Sequence, residues 1–227
     1  MDKWTGRVAL VTGASRGIGS SVARMLCQQG MVVVALARDI AELEAIAVDY
    51  KTNGFEGSLV PMKCDITQPD RISALLNTIR TDPDLEGVDV LINNAAVAFA
   101  EPLLSGNPDV WATMVKTNFL GPTILAQEVF KSMKEREVDD GHIIFVNSLS
   151  GHRLLPGNKD LHMYSATKFA LRSIVEGLRL ELRQLDSHIR VSYLTADDVA
   201  NLILSIMSQP GHVQIHDLLV RSTEQIP

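Results

Sequence analysis

Tyr164 and Lys168 stand four residues apart in Tyr-Ser-Ala-Thr-Lys, near the start of a long stretch of helical periodicity. Residues at that spacing share a helix face, so the phenol and the ammonium project together. Tyrosine is a poor acid or base at neutral pH because its reference pKa is about 10, and a neighbouring cation favours the phenolate and lowers that value. The pair therefore suits proton exchange with an oxygen whose charge changes during reaction. Ser148, at the end of an apolar run, could hydrogen-bond that oxygen. Asn118, in a long preceding helical segment, could hold a water that links Lys168 to solvent. Alone, Tyr-x-x-x-Lys says little, since many helices carry a buried ring beside a solvated cation. Its weight comes from the features that precede it in the chain.

The first of these is Thr12-Gly13-Ala14-Ser15-Arg16-Gly17-Ile18-Gly19, directly after an apolar run and before an amphipathic one. Glycines there let the backbone turn sharply and approach a pyrophosphate, and the helix opening near Gly17 points free N–H groups at the anion. Gly13, Ser15, Arg16, Gly17, Ile18 and Gly19 are the candidate contacts, although the spacing is T-G-x-x-x-G-x-G rather than G-x-G-x-x-G. The second run ends in Leu36-Ala37-Arg38-Asp39. Arg38, with Arg16 nearby, can make charge-assisted contacts to a ribose 2′-phosphate, whereas Asp39 could accept from a 2′-hydroxyl. We read Asp39 mainly as the N-cap of the next helix, which favours NADP(H) over NAD. Asp65, in Cys64-Asp65-Ile66, could accept from an adenine amino group or cap the helix after Thr67, and Ile66 lies beside it. In Asn93-Asn94-Ala95-Ala96, Asn93 reads as structural and Asn94 as part of the cofactor wall.

These residues need a scaffold that brings strand ends together. Arg7–Val11, Met31–Ala35, Gly57–Cys64, Val88–Ile92, His142–Asn147 and Ile189–Tyr193 read as strands. Most are Val-, Ala- and Leu-rich without polar alternation, as in parallel strands buried on both faces. Helical patterns over Ile18–Gln29, Ile40–Thr52, Pro69–Arg80, Pro108–Arg136 and Asp160–Asp186 alternate with them. The alternation predicts an α/β fold: one doubly wound parallel sheet of Rossmann type with helices on both faces, formed by residues 1–227 as one domain. Ligands in such sheets bind at the carboxyl ends of the strands, and the loops Glu101–Asp109 and Gly151–Asp160, which follow strands, sit on that edge.

Composition agrees. The 227 residues are 46% hydrophobic and 21% charged, ordinary for a globular domain. A net charge of −6 argues against nucleic acid as a partner. No 18-residue apolar run suggests a membrane span, and the start of the chain reaches Gly13 too soon to hold a signal peptide, so we expect a cytoplasmic protein. Cys27 and Cys64 read as buried free thiols. No Cys/His cluster has metal-ligand spacing, and Ser148 lacks the G-x-S-x-G elbow of a hydrolase. His152 reads as a loop hydrogen-bonding residue, and Trp4 and Trp111 as packing residues.

The set resembles the short-chain dehydrogenase/reductase family over nearly the whole chain. Thr12–Gly19 resembles its cofactor motif, and Asn93–Ala96 its Asn-Asn-Ala-Gly motif with Ala96 in place of glycine. Asn118, Ser148, Tyr164 and Lys168 match its catalytic tetrad, of which Tyr164 and Lys168 also touch the cofactor. Arg38 after the small Ala37 is the pattern of its NADP-preferring branch. Ser148–Arg153, Lys134–Arg136 with Asp139–His142, and Arg221–Gln225 resemble a narrower branch that takes in farnesol-dehydrogenase-like proteins. The resemblance implies hydride transfer between NADP(H) and a small hydrophobic partner. That partner is a ketone, ketosteroid or other carbonyl, or the corresponding secondary or isoprenoid alcohol. It also implies a homodimer or homotetramer paired through the Asp160–Asp186 helix and the one before it.

One departure stands out. Relatives follow the sixth strand with a Pro-Gly segment and a long substrate lid that walls the nicotinamide. Here Val191-Ser192 runs almost directly into Tyr193-Leu194-Thr195-Ala196-Asp197-Asp198, which reads as a helix start capped by Thr195. Either the protein lacks its lid, or a mobile stretch between Ser192 and Tyr193 is left out of the sequence. We expect the second, with an intact mass a few kilodaltons above 24.8 kDa. Two rival functions follow: a nucleotide-binding or scaffold protein without turnover, and an NAD-dependent alcohol dehydrogenase that uses Asp39.

Overall fold

The computed structural model describes residues 1–154, 160–195 and 199–219. Seven strands form one parallel sheet in the order β3-β2-β1-β4-β5-β6-β7. They are β1 (Val8–Thr12), β2 (Val32–Ala37), β3 (Ser58–Lys63), β4 (Val90–Asn93), β5 (His142–Val146), β6 (Arg190–Thr195) and β7 (Asp217–Leu219). Six of them lie within a few residues of the apolar runs. β7 is three residues long, too short for a periodicity to show. All five residues of β1 and all five of β5 are buried, which fits strands covered on both faces.

Strand order reverses between β1 and β4, which pair in register from Ala9↔Val90 to Val11↔Ile92. That reversal opens the crevice in which doubly wound sheets bind ligands. Two apolar layers flank the sheet. On one side Leu10, Leu91, Phe145 and Val191 pack with Ile72, Leu125, Val129 and Leu171 from the helices. On the other Ala9, Val33, Ile92 and Ile144 pack with Trp4, Val22, Leu26 and Ile203. The helices are α1 (Gly17–Gln28), α2 (Ala41–Thr52), α3 (Pro69–Thr81), α4 (Pro108–Val115), α5 (Gly121–Glu135), α6 (His162–Gln184) and α7 (Val199–Met207).

Two expectations need correction. Pro108–Arg136 is not one regular helix: a π-helical turn, Lys116–Leu120, separates α4 from α5. Pro122 supplies a reason. The α-helical partner of the Asn118 carbonyl would be the N–H of residue 122, and proline has none. The helix expected to start at Thr195 is also displaced. Tyr193 and Leu194 continue β6 in register with Phe145 and Val146, and Thr195 pairs with Leu219. β6 runs through Ser192 and Tyr193 without a break. The helix begins at Val199, and residues 196–198 lie outside the described set.

Candidate active site

The turn after β1 departs from ordinary backbone at Gly13 (φ +65°) and Gly17 (φ +58°), both in the left-handed region. Gly19 is required for closeness: a Cβ there would lie 2.2 Å from the Gly13 carbonyl oxygen and 2.5 Å from Asn94 Nδ2. Around Gly17 there is open space. Arg16 precedes α1 in an extended conformation and makes no side-chain cap, so the first N–H groups of the helix keep their capacity for an anion.

Thr12 braces this turn against β4. Its Oγ1 accepts from the N–H groups of Asn94 (3.0 Å) and Ala95 (2.9 Å). Asn94 Nδ2 in turn donates to the carbonyls of Thr12 (2.9 Å) and Gly13 (3.2 Å). Asn94 therefore lines the cleft as expected, but its amide hydrogens are used within the protein. Thr12 itself was not anticipated; its place at the last residue of a buried strand was the available signal. Asn93 Nδ2 donates to the Pro122 carbonyl at 3.2 Å and ties β4 to α5, a structural role.

A cleft of about 480 Å³ runs along the ends of β1, β2, β3 and β4. Ser15, Arg16, Arg38, Asp65, Ile66 and Asn94 are among its walls. Arg16 and Arg38 are exposed, and among the described residues neither sits within ion-pair distance of a carboxylate. Asp39 turns away: its Oδ1 accepts from the Ala41 N–H at 3.1 Å and serves the start of α2. Asp65 accepts from the Thr67 N–H (3.0 Å) and hydroxyl (2.8 Å), a local turn directly before the Gln68–Pro69 start of α3. Burial pushes the Asp65 carboxyl up, but the two Thr67 hydrogen bonds and the Arg38 and Arg71 charges outweigh it, and the group sits below its ordinary range.

The reacting groups meet on α6 and at the end of β5. The Lys168 ammonium lies 5.9 Å from the centre of the Tyr164 ring. The Ser148 hydroxyl lies on the Tyr164 side of the site, where it acts to lower the phenol's pKa, and its Oγ accepts from the Ser150 N–H at 3.2 Å. One expectation is reversed here: the Tyr164 phenol is raised above its ordinary value. Burial pushes it up, and the Ser148 hydrogen bond only partly offsets that. Lys168 does not pull it down because its own charge is compromised. It is 3% exposed, donates to the Val146 carbonyl at 2.9 Å, and burial holds it down to about 8.

Asn118 is buried in the π-helical turn and spans two parts of the site. Its Oδ1 accepts from the Val97 N–H (2.8 Å), and its Nδ2 donates to the Val97 carbonyl (2.8 Å) and to Thr167 Oγ1 (3.2 Å). The side chain is thus fully engaged, so a water near it would have to be held by its backbone carbonyl, which Pro122 leaves without an α-helical donor. Val97 lines the cleft and Thr167 precedes Lys168, so Asn118 joins the two regions. Among the described residues, the walls of the cleft include none of Ser148, Tyr164 and Lys168.

A doubly wound sheet with a glycine turn at β1 and a Ser–Tyr–Lys group beyond β5 defines a nucleotide-linked oxidoreductase architecture, and the chain belongs to the short-chain dehydrogenase family. The model of that family, described as short chain dehydrogenase, matches residues 7–200. A chicken (Gallus gallus) protein named dehydrogenase/reductase SDR family member 11 is 43% identical over 257 residues, covering all of both chains. Farnesol dehydrogenase of Aedes aegypti is 32% identical over 244 residues, 97% of this chain and 98% of that one. A crystal structure of a metagenomic short-chain oxidoreductase in complex with NADP superposes with a TM-score of 0.86 at 31% identity, covering 98% of this chain and 99% of that one. The alignment with the chicken protein is about thirty positions longer than the 227 residues here.

Proposed function

We propose that this protein is an NADP(H)-dependent oxidoreductase that interconverts a hydrophobic ketone and its alcohol, with Tyr164 as general acid and base. The observation that carries it is the Ser148–Tyr164–Lys168 group standing one residue bridge, Asn118, away from a cleft that fits a nucleotide. The fit rests on open backbone at Gly17, unclaimed N–H groups at the start of α1, and two exposed arginines in the cleft wall, Arg16 in the same turn and Arg38 after β2. Arg16 and Arg38 would take a 2′-phosphate; Asp39 is not among the cleft's lining residues and gives one oxygen to the start of α2. When bound, the nicotinamide supplies or accepts the hydride.

Tyr164, raised by burial, stays protonated near neutral pH and is set to give its proton to a developing alkoxide. Ser148, on the Tyr164 side of the site, would share the charge on that oxygen. Lys168, held down to about 8, can restore the proton from solvent along the Asn118 side of the site. The reverse direction uses the same groups and needs the phenolate, which a cationic cofactor ring would favour. Homo-oligomer formation through α6 is part of this reading, supported by exposed Phe169, Leu180 and Leu185.

A second reading, a nucleotide-binding protein without turnover, has one observation in its favour: β6 and α7 are joined by only residues 196–198. The test is a panel of ketosteroids, diketones and isoprenoid alcohols assayed on the full chain with NADPH and NADH. Turnover with NADPH should fall at least about 100-fold in Tyr164→Phe, with NADPH affinity kept within about twofold. Undiminished turnover removes Tyr164 from the mechanism, and binding with no turnover of any compound selects the second reading.

A further inference from the structure

We propose that Thr167 is a positioning residue whose hydroxyl fixes the roll of α6 against the nucleotide cleft, and so where Tyr164 and Lys168 point. The proposal rests on the oxidoreductase reading given above and adds a residue to it. Thr167 is 3% exposed. Its Oγ1 donates to the Tyr164 carbonyl at 2.7 Å, one turn back in the same helix, and accepts from Asn118 Nδ2 at 3.2 Å. Asn118, on the π-helical turn, also grips the Val97 backbone, at 2.8 Å to its N–H and 2.8 Å to its carbonyl. Val97 is a wall of the cleft. A continuous line of hydrogen bonds thus runs from the cleft wall through Asn118 and Thr167 to the backbone of Tyr164.

A neighbouring contact at the same turn of α6 does something different. A Cβ on Gly151 would lie 2.8 Å from the Lys168 carbonyl oxygen, so the short helical turn Leu149–Gly151 sits hard against α6. Close packing of that kind sets the distance between the two segments. A hydrogen bond is directional and restrains rotation about the helix axis as well. With its side chains a helix is about 10–12 Å across, so a roll of about 10° carries a side-chain tip roughly 1 Å. A misplacement of about 1 Å can cost about 100-fold in rate. Tyr164 and Lys168 follow any roll of α6 together, and the tie at Thr167 holds both at one setting relative to Val97.

The test is steady-state kinetics on the full chain, with NADP(H) and whichever compound of the panel above the wild type turns over fastest, beside calorimetric titration with NADPH. Thr167→Val keeps the shape of the side chain and removes the hydroxyl. It should lower kcat about tenfold or more, while KM and the NADPH Kd stay within about threefold. Thr167→Ser keeps the hydroxyl and loses the methyl, and should hold kcat within about threefold of the wild type. Thr167→Ala removes the hydroxyl without adding bulk; it should show the same loss as the valine variant, and replaces it if that one does not fold. Unchanged kcat in the variants without a hydroxyl would overturn the proposal and leave the separate Tyr164→Phe test standing. A serine variant as slow as the alanine one would also overturn it, because packing and not the hydroxyl would then matter. So would an NADPH affinity lost in proportion to kcat, which would place the role of Thr167 in the cleft itself. A wild type that turns over no compound of the panel would overturn this proposal and the oxidoreductase reading together.

Discussion

The Lys168 ammonium lies 5.9 Å from the Tyr164 ring centre, yet its hydrogen bond goes to the Val146 carbonyl at 2.9 Å. The two side chains share a helix face as their spacing demands, but the cation is shielded in the sheet. A buried charge without a carboxylate partner costs the fold energy.

That cost is measurable. The folded lysine titrates at about 8 and the free one at 10.5, so below pH 8 both states are charged and the buried charge destabilises the fold by about 3 kcal/mol. As pH rises from 8 to 10.5 the folded state loses its proton first, the unfolded state binds more protons, and the penalty disappears. Lys168→Met should raise the melting temperature of the nucleotide-free protein at pH 7 by roughly 5 °C, with the gain shrinking towards pH 10.5. A lower melting temperature for the variant at pH 7 would show that the charge is not a burden.

Arg38 should decide between nucleotides. Arg38→Asp should weaken NADPH about 100-fold and NADH less than about threefold, since a charge-assisted contact to phosphate is lost only for the first. Equal losses, read by fluorescence titration, would undo the assignment of the 2′-phosphate to this arginine.

Two glycines should respond in opposite senses. Gly19→Ala drives a Cβ to 2.2 Å from a backbone oxygen, which should cost about 3 kcal/mol in urea unfolding and abolish nucleotide binding. Gly177, inside α6, has nothing within 4 Å of its virtual Cβ, so Gly177→Ala should stabilise by about 0.5–1 kcal/mol. A neutral Gly19→Ala would mean that the turn can spread without loss.

His142 sets a lower pH limit. Its Nε2 is 3.1 Å from Ser192 Oγ, whose hydroxyl donates to the Ile215 carbonyl at 2.6 Å, so the imidazole is the donor to that oxygen. Burial first, then the Arg190 and Lys3 charges, hold it well below its ordinary value of 6.5. The folded imidazole stays neutral while the unfolded one takes a proton as pH falls below 6.5. Stability is therefore lost in that direction, by up to about 1.4 kcal/mol per pH unit. Urea unfolding between pH 7.5 and 5 should show a shallower decline for His142→Gln. Parallel curves would place the acid sensitivity elsewhere.

The sheet was legible because its strands are buried on both faces and written in Val, Ile and Leu. The turn at Thr12–Gly19 was legible because glycines are needed there for named steric reasons. What escaped were features fixed by partners distant in the chain. The break at Lys116–Leu120 depends on a proline that, at Pro122, also passes for a first-turn residue of α5. The strand identity of Tyr193–Thr195 is set by pairing with Phe145, Val146 and Leu219, and local propensity says helix cap instead. Spacing put Tyr164 and Lys168 together. It could not say that burial would outweigh the cation, or that Thr12 and Val97 would claim the amides of Asn94 and Asn118.

Trp4, fully buried, donates from Nε1 to the Met207 carbonyl at 3.0 Å, across 203 residues. The opening turn of the chain is therefore sealed by its last described helix. A contact of such sequence separation can close only after α7 has been synthesised, so this layer of the core is among the slowest parts of the fold to assemble.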